Sequence, residues 1–214
     1  MYKRQVLPPD VLRALAEFAR AHNLWIWSDE VYELYSYGPK VVPIAHFAPE
    51  RTFSAFSFSK AHGLAGCRVG YVVAPDRPGM RGELRKMAMH ASYSAPLPSQ
   101  LAACAILQPT IGAPWVERAR TAYQAAGNAA ADRLRLPRPQ GGTFLFVDVS
   151  RGLRPDDEDP LHAFLVRCIE RGLVLAPGLS SGHPYSTHVR LCFTSAPPDV
   201  VARGVDVLAD LLDL

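Results

Sequence analysis

Three short apolar segments limit the fold of this chain more than any other feature of its sequence. They cover residues 24–28, 52–58 and 69–73. The first is mainly aliphatic and aromatic and is too short for a helix, which is typical of a strand buried on both faces of a parallel sheet. Before it, residues 9–22 predict an amphipathic helix that stops near Asn23. Helix and strands therefore alternate as in α/β proteins.

The second half of the chain predicts a different arrangement. Residues 80–107 have a helical pattern interrupted by Pro96 and Pro98, and a long helix is predicted over 115–134. After it, the predicted elements are a strand (143–149), a helix (160–171), two strands (173–176 and 189–194) and a final helix from Asp199. This pattern indicates a compact α+β module. We place the boundary between two domains inside the long helix, with residues 1–125 before it and 126–214 after it.

Composition argues against several classes of partner and site. The chain of 214 residues has a net charge of +3 but no block of five or more like charges, so a nucleic-acid partner is not expected. No apolar run is long enough for a signal peptide or a membrane span, so no membrane partner is expected either. The cysteines are far apart in sequence and form no C-x-x-C pair, which predicts neither a metal site nor disulfides and fits a reducing cytoplasm.

The stretch from Ser57 to Gly70 concentrates reactive side chains at the end of the second apolar segment. Lys60 follows the segment directly, Ser57 and Ser59 lie beside it, and Arg68 comes eight residues later. An amine condenses with an aldehyde, while hydroxyls and a guanidinium bind a phosphate. Ligands of open α/β sheets bind at the carboxyl ends of strands, where Lys60 and Asp29 are both expected. The set is therefore suited to a phosphorylated aldehyde.

The same stretch resembles the cofactor-lysine signature of the class I/II, fold-type-I aminotransferases, which depend on pyridoxal 5′-phosphate. The match is S-x-S-K, five residues, then G-x-R-x-G. The resemblance implies that Lys60 holds the cofactor as an aldimine and that Ser57 and Arg68 bind its phosphate, with Ser59 a weaker candidate. The plain alternative is a solvated loop lysine and a surface ion-pair arginine. The complete signature argues against it, as does the scarcity of lysine, which occurs only at positions 3, 40, 60 and 86.

Two further segments resemble parts of that family. In Ser28-Asp29-Glu30-Val31-Tyr32 the resemblance implies that Asp29 faces the pyridine nitrogen of the cofactor and that Tyr32 lies near its ring oxygen. In V-R-L-C-F near the C-terminus it implies that Arg190 binds the substrate α-carboxylate. The alternatives are a turn cap for Asp29, a packing residue for Tyr32 and a salt-bridged strand-edge arginine for Arg190. Residues 179–188 depart from the family pattern, so the preferred amino acid is not predicted.

The resemblance implies a fold and a reaction. The fold is α/β: part of a mostly parallel-sheet large domain that binds the cofactor, followed by a small α+β C-terminal domain. The reaction is transamination between an amino acid and a 2-oxo acid, with Lys60 as covalent anchor and general base, in a homodimer. The resemblance covers only the C-terminal half of such an enzyme, so we expect the isolated chain to be a poor catalyst.

Three alternatives to an aminotransferase stay open at this stage. One is a non-catalytic effector-binding or interaction module of the same fold. Another is a pyridoxal-phosphate-dependent lyase or decarboxylase, because the fold does not fix the reaction. The third is a purely structural fragment, which would not need the cofactor at all.

Overall fold

The computed structural model describes residues 6–38 and 40–214, and the described residues fall into two compact units. Residues Val6–Arg120 make up the N-terminal unit, and Thr121–Leu214 make up the described part of the C-terminal unit. Residues 1–5 of the first predicted domain lie outside the described residues. Among the helices that the structure describes, none has both the length and the apolar character needed to cross a membrane.

The N-terminal unit combines helices with a small mixed sheet. Its elements in chain order are α1 (Pro9–Ala21), β1 (Ile26–Asp29), β2 (Thr52–Ser57), β3 (Gly70–Val73), α2 (Met80–Ala91), α3 (Leu97–Ile106) and the first part of α4 (Pro109–Arg133). The strand order is β1-β2-β3; β1 and β2 run parallel, and β3 is antiparallel to β2. The α/β prediction is thus confirmed. The domain boundary was predicted at residue 125, and the two units divide at residue 120, inside α4.

Helix α1 follows from its sequence in detail. Asp10 lies in its first turn, where a carboxylate interacts favourably with the helix dipole. Leu12, Ala16 and Ala19 are its buried residues, and their spacing puts them on one face. The chain leaves the helix at Asn23, which has a positive φ of 51°. Asparagine tolerates this left-handed conformation better than most residues, which explains why the helix stops where the sequence predicts.

Strand β1 corrects one prediction, because it is not buried on both faces. The side chain of Trp27 is 65% exposed and that of Trp25 is also exposed. Residues along β1 alternate between half-buried and exposed, as on a sheet with one covered face. On the exposed face Trp27 stacks on Phe53 of β2, with ring centroids 6.0 Å apart. Its short apolar sequence therefore indicated a strand correctly but not the number of covered faces.

The C-terminal unit is an α+β module. Its elements after α4 are β4 (Phe144–Asp148), α5 (Pro160–Glu170), β5 (Ala176–Pro177), β6 (His188–Cys192) and α6 (Pro198–Leu211). The sheet has the order β4-β6-β5 and is antiparallel throughout. The strand predicted over 173–176 is found instead at Ala176–Pro177, so only Ala176 lies in the predicted range, because pairing with β6 begins where Ala176 lies opposite Arg190.

The core of the C-terminal unit lies on one face of this sheet and on α5 and α6. Leu145 pairs with Leu191 and Val147 with Val189, so all four side chains share a face, and all are buried. Phe164 of α5 is completely buried, and its ring leaves no space for a Cβ atom at Gly152. Such close packing makes the unit sensitive to any loss of core volume.

We predict that Phe164→Ala destabilises the chain strongly. Loss of a fully buried phenyl ring costs about 3–5 kcal/mol in free energy of unfolding, since a cavity is left behind. Ile169→Ala on the same helix is the matched control, because Ile169 is 58% exposed, and it should change the free energy by about 0.5 kcal/mol or less. Urea denaturation of the 214-residue chain followed by circular dichroism measures both. Equal effects of the two substitutions would contradict the described core.

Candidate active site

Lys60 lies in a tight turn directly after β2. The hydroxyl of Ser57, the last residue of the strand, accepts a hydrogen bond from the Ser59 backbone N–H at 3.1 Å. The Gly63 N–H donates to the Lys60 carbonyl at 3.3 Å, and Gly63 has a φ of 68°, a conformation that glycine adopts without strain. These local bonds reverse the chain at Lys60 and present its side chain at the end of the sheet.

The Lys60 amine faces an aromatic ring. Its Nζ atom lies 5.7 Å from the centroid of the Tyr32 ring, within the range of a cation–π contact. The residue is exposed, and no carboxylate of the described chain lies within ion-pair distance of it. The amine is therefore held near Tyr32 and stays available to a ligand.

Asp29 and the Lys60 turn emerge at the same edge of the sheet. Asp29 is the last residue of β1 and lies opposite Ala55 of the parallel strand β2, two residues before Ser57. Its Oδ1 atom accepts a hydrogen bond from the Val31 N–H at 3.3 Å, while the residue stays exposed. The carboxyl ends of parallel strands are the usual ligand-binding edge of an open sheet. The structure thus brings Asp29, Tyr32 and Lys60 into one region.

Arg68 has an unusual backbone conformation at the other end of the same loop. Its φ is 52°, in the left-handed region that residues other than glycine seldom adopt. Its Nη1 atom donates to the Ala65 carbonyl at 3.0 Å, and within the described residues it makes no ion pair. The alternative of a surface ion pair for Arg68 is therefore not supported. The guanidinium keeps donors free for an anion.

Two residues that the sequence did not single out contact the Lys60 turn. The hydroxyl of Tyr35 donates to the carbonyls of Lys60 at 3.3 Å and Ala61 at 3.1 Å. The indole Nε1–H of Trp115 donates to the Ala61 carbonyl at 3.2 Å. Tyr35 follows Tyr32 closely in an aromatic segment, which is a weak signal. Trp115 is far away in sequence, so only the tertiary structure reveals it.

Burial shifts the pKa of several side chains in this unit, among them His62 and Glu33. It lowers the pKa of His62, whose Nδ1 atom is buried and has no hydrogen-bond partner among the described residues. Burial also raises the pKa of Glu33, and the nearby carboxylate of Glu30 adds to that shift. Both shifts favour the neutral form of the group. The lowered pKa of His62 disfavours its protonated, cationic form next to Lys60.

Arg190 lies in the C-terminal unit. It occupies β6, the central strand of its sheet, opposite Phe146 of β4 and Ala176 of β5. Its guanidinium carbon is 5.6 Å from the centroid of the Phe144 ring, and the residue lines a cavity of about 670 Å³. It forms no ion pair with any described carboxylate. The alternative of a salt-bridged strand-edge arginine is therefore wrong for Arg190.

The family model described as aminotransferase class I and II matches residues 5–208. The chain belongs to this family. Solved aminotransferases also share its fold: the aspartate aminotransferase of Thermus thermophilus with maleate superposes with a TM-score of 0.83 over 96% of this chain and 53% of that chain, at 26% identity.

Curated aminotransferases are similar in sequence as well. An arginine–pyruvate transaminase of Pseudomonas aeruginosa is 36% identical over 194 residues, covering 86% of this chain and 47% of that protein. An aspartate aminotransferase of Geobacillus stearothermophilus is 32% identical, covering 86% of this chain and 48% of that protein. The chain thus spans about half the length of the curated relatives that it matches.

The donor set fits the cofactor of this family. Class I/II aminotransferases are pyridoxal phosphate enzymes. The N-terminal unit offers a primary amine without an ion-pair partner, a carboxylate at the same sheet edge, and a hydroxyl with a guanidinium for a phosphate. An aldehyde, a protonated pyridine nitrogen and a phosphate dianion are the groups that such residues bind. The family and its cofactor are therefore consistent with the residues of this chain.

Proposed function

We propose that this chain contributes Lys60, as the attachment point of pyridoxal 5′-phosphate, to transamination between an amino acid and a 2-oxo acid. The observation that supports the proposal most is the position of the Lys60 amine, next to Tyr32 and at the same sheet edge as Asp29, in a chain of the aminotransferase family. When bound, the cofactor supplies an aldehyde carbon for an amine and a pyridinium ring that withdraws electrons from the substrate α-carbon.

Lys60 has two roles in this proposal. Its Nζ atom would be the nucleophile that holds the cofactor at its aldehyde carbon, with the aldehyde oxygen released as water. With an amino acid bound in its place, the free Lys60 amine would be the base that accepts the proton from the substrate α-carbon and the acid that later returns it. The turn at Gly63 keeps the Lys60 backbone fixed while the long side chain moves between these positions.

Asp29 and Tyr32 adjust the electronic state of the bound ring. A carboxylate within hydrogen-bond distance of the pyridine nitrogen keeps that nitrogen protonated, and Asp29 has its exposed carboxylate at the required edge. Tyr32 lies close to the Lys60 amine, so its hydroxyl is the candidate donor to the ring oxygen. Both residues therefore act on the cofactor, and Lys60 alone moves protons at carbon.

The phosphate is assigned to Ser57 and Arg68, with Ser59 as a weaker candidate. Ser57 and Arg68 bracket the loop that contains Lys60, so binding the phosphate fixes the distance between the anion and the amine. The Ser57 hydroxyl accepts from the Ser59 N–H and keeps its own hydrogen for donation. Ser59 donates its backbone N–H within this turn, and its hydroxyl is only a weaker candidate for binding the phosphate.

Arg190 is the proposed anchor for the substrate carboxylate. A planar guanidinium forms two parallel hydrogen bonds with a carboxylate and so orients the α-carbon. Maleate, the compound named with the similar Thermus thermophilus enzyme, is itself a dicarboxylate. Relatives named for arginine and for aspartate are both similar to this chain, so the proposal covers the amino acid and 2-oxo acid pair without a preferred side chain. A homodimer in the cytoplasm is the proposed working form.

We expect covalent capture of the cofactor to be specific for Lys60. After incubation with limiting pyridoxal phosphate, borohydride reduction and peptide mapping should find about tenfold more label on Lys60 than on any other lysine. The reason is that Lys60 alone lies in an S-x-S-K segment, whose neighbouring groups are proposed to bind the rest of the cofactor. Lys60→Arg keeps the charge but prevents condensation, so it should remove this label. Lys86→Arg is the control and should leave it unchanged. A spread of label over Lys3, Lys40 and Lys86 as heavy as that on Lys60 would exclude the proposed attachment.

We expect Arg190→Ala to weaken the response to amino acids without weakening cofactor binding. Loss of a charge-assisted hydrogen-bond pair should raise the amino-acid concentration at half-maximal conversion of the bound cofactor by roughly tenfold to a hundredfold. The visible absorbance of the cofactor measures this conversion, and titration with cofactor measures its own affinity. Arg151→Ala is the matched control, because Arg151 is an exposed arginine of the same unit that does not line the cavity beside Arg190. An equal loss of affinity for amino acids and for the cofactor would mean that Arg190 binds the cofactor or stabilises the fold.

A further inference from the structure

We propose that Tyr35 and Trp115 are positioning residues that fix the backbone of Lys60 and thereby aim its amine at the cofactor. The inference rests on the proposed attachment of the cofactor to Lys60. Neither residue belongs to the signature segments that carry the family resemblance. Tyr35 acts through the carbonyl groups of Lys60 and Ala61, and Trp115 acts through that of Ala61.

Tyr35 contacts the backbone of Lys60 and belongs to the same short turn as Tyr32, whose ring faces the Lys60 amine. Its side chain is only 2% exposed, and its hydroxyl hydrogen is shared between the Lys60 and Ala61 carbonyls. Its backbone N–H donates to the Tyr32 carbonyl at 2.9 Å, which joins it to the residue whose ring lies near the Lys60 amine. One short turn, from Tyr32 to Tyr35, therefore contacts both the amine and the backbone of Lys60.

Trp115 holds the same turn from another direction. It belongs to α4, and its indole N–H reaches the Ala61 carbonyl although 54 residues separate the two in sequence. Its ring also lies against Gly63, where an added Cβ would be 3.4 Å from Cζ2 of the indole. A helix far away in the chain thus limits the movement of the Lys60 turn.

The two donors support each other at Ala61. This residue is only 3% exposed, so its carbonyl has little access to water, and Tyr35 and Trp115 are its donors among the described residues. Removing one donor leaves the other in place. Removing both leaves a buried acceptor without a partner, which is far more costly than losing either bond alone. The turn is therefore expected to loosen slightly in each single variant and to open in the double variant.

The test uses the full chain with Tyr35→Phe, Trp115→Phe and the double variant. Each single change keeps an aromatic ring and removes the polar hydrogen. Tyr71→Phe and Trp27→Phe are matched controls, because both residues belong to the same unit and neither donates a hydrogen bond from its side chain to a described residue. The readouts are the rate of borohydride-trapped cofactor at Lys60 relative to Lys86, hydrogen exchange of the Gly63 and Leu64 amides, and circular dichroism in the visible band of the bound cofactor.

We expect each single variant to slow relative capture at Lys60 by about three- to tenfold and the double variant by about a hundredfold or more. Exchange at Gly63 should accelerate in the same order. The visible circular dichroism per bound cofactor should fall, because this signal reports how firmly the cofactor is oriented. A simple loss of stability would not change that orientation in the molecules that stay folded. The two control variants should match the unaltered chain in all three readouts.

Two results would overturn the positioning role. One is capture at Lys60 and visible circular dichroism that are unchanged in the double variant. The other is a loss of capture that only follows the loss of folded protein, as judged by far-ultraviolet circular dichroism. Failure of the proposed function itself looks different, because the unaltered chain would then show no preference for Lys60 over Lys86 before any substitution is made.

Discussion

The parallel pairing of β1 with β2 is the constraint on which the candidate site depends. Its register sets Asp29 opposite Ala55, so the end of β1 and the turn after β2 open at one edge of the sheet. Asp29 and Lys60, which are 31 residues apart in sequence, thereby come to one edge of the sheet, where the proposed cofactor would contact both. A shift of the strand pairing by one residue would move every side chain of β1, including Asp29, to the opposite face of the sheet. Because one face is buried, such a shift would expose apolar side chains, so the register is strongly specified.

The two units stabilise their functional residues in different ways. In the C-terminal unit Arg190 projects from the central strand of a sheet whose other face is a closely packed core, so its backbone is rigid. In the N-terminal unit the Lys60 turn depends on hydrogen bonds from side chains, chiefly from Tyr35 and Trp115, because loops have no ladder of their own. In the proposed reaction the Lys60 amine moves, and this arrangement holds the Lys60 backbone while its side chain stays free.

Much of the fold could be predicted because its signals are local. Periodicity, prolines and caps over a few residues are sufficient to predict several elements. Examples are the helix over residues 9–22, the strand that ends at Ser57 and the helix that starts near residue 160. The exposed face of β1 could not be predicted, because burial depends on what packs above Trp27. The shortness of β5 depends likewise on where β6 ends its pairing.

The family and the chemical character of the candidate site can be recognised from the sequence alone, because the S-x-S-K segment and its arginine keep a fixed spacing within one stretch of chain. The other groups that contact that stretch are found only in the folded chain. Tyr35 and Trp115 carry no motif, and a hydrogen bond across 54 residues leaves no periodic trace in a sequence. A reactive side chain can be recognised in a sequence because its residue type sets its chemistry. A group that holds it in place is defined by its position in the folded chain, and that position cannot be recognised from residue type.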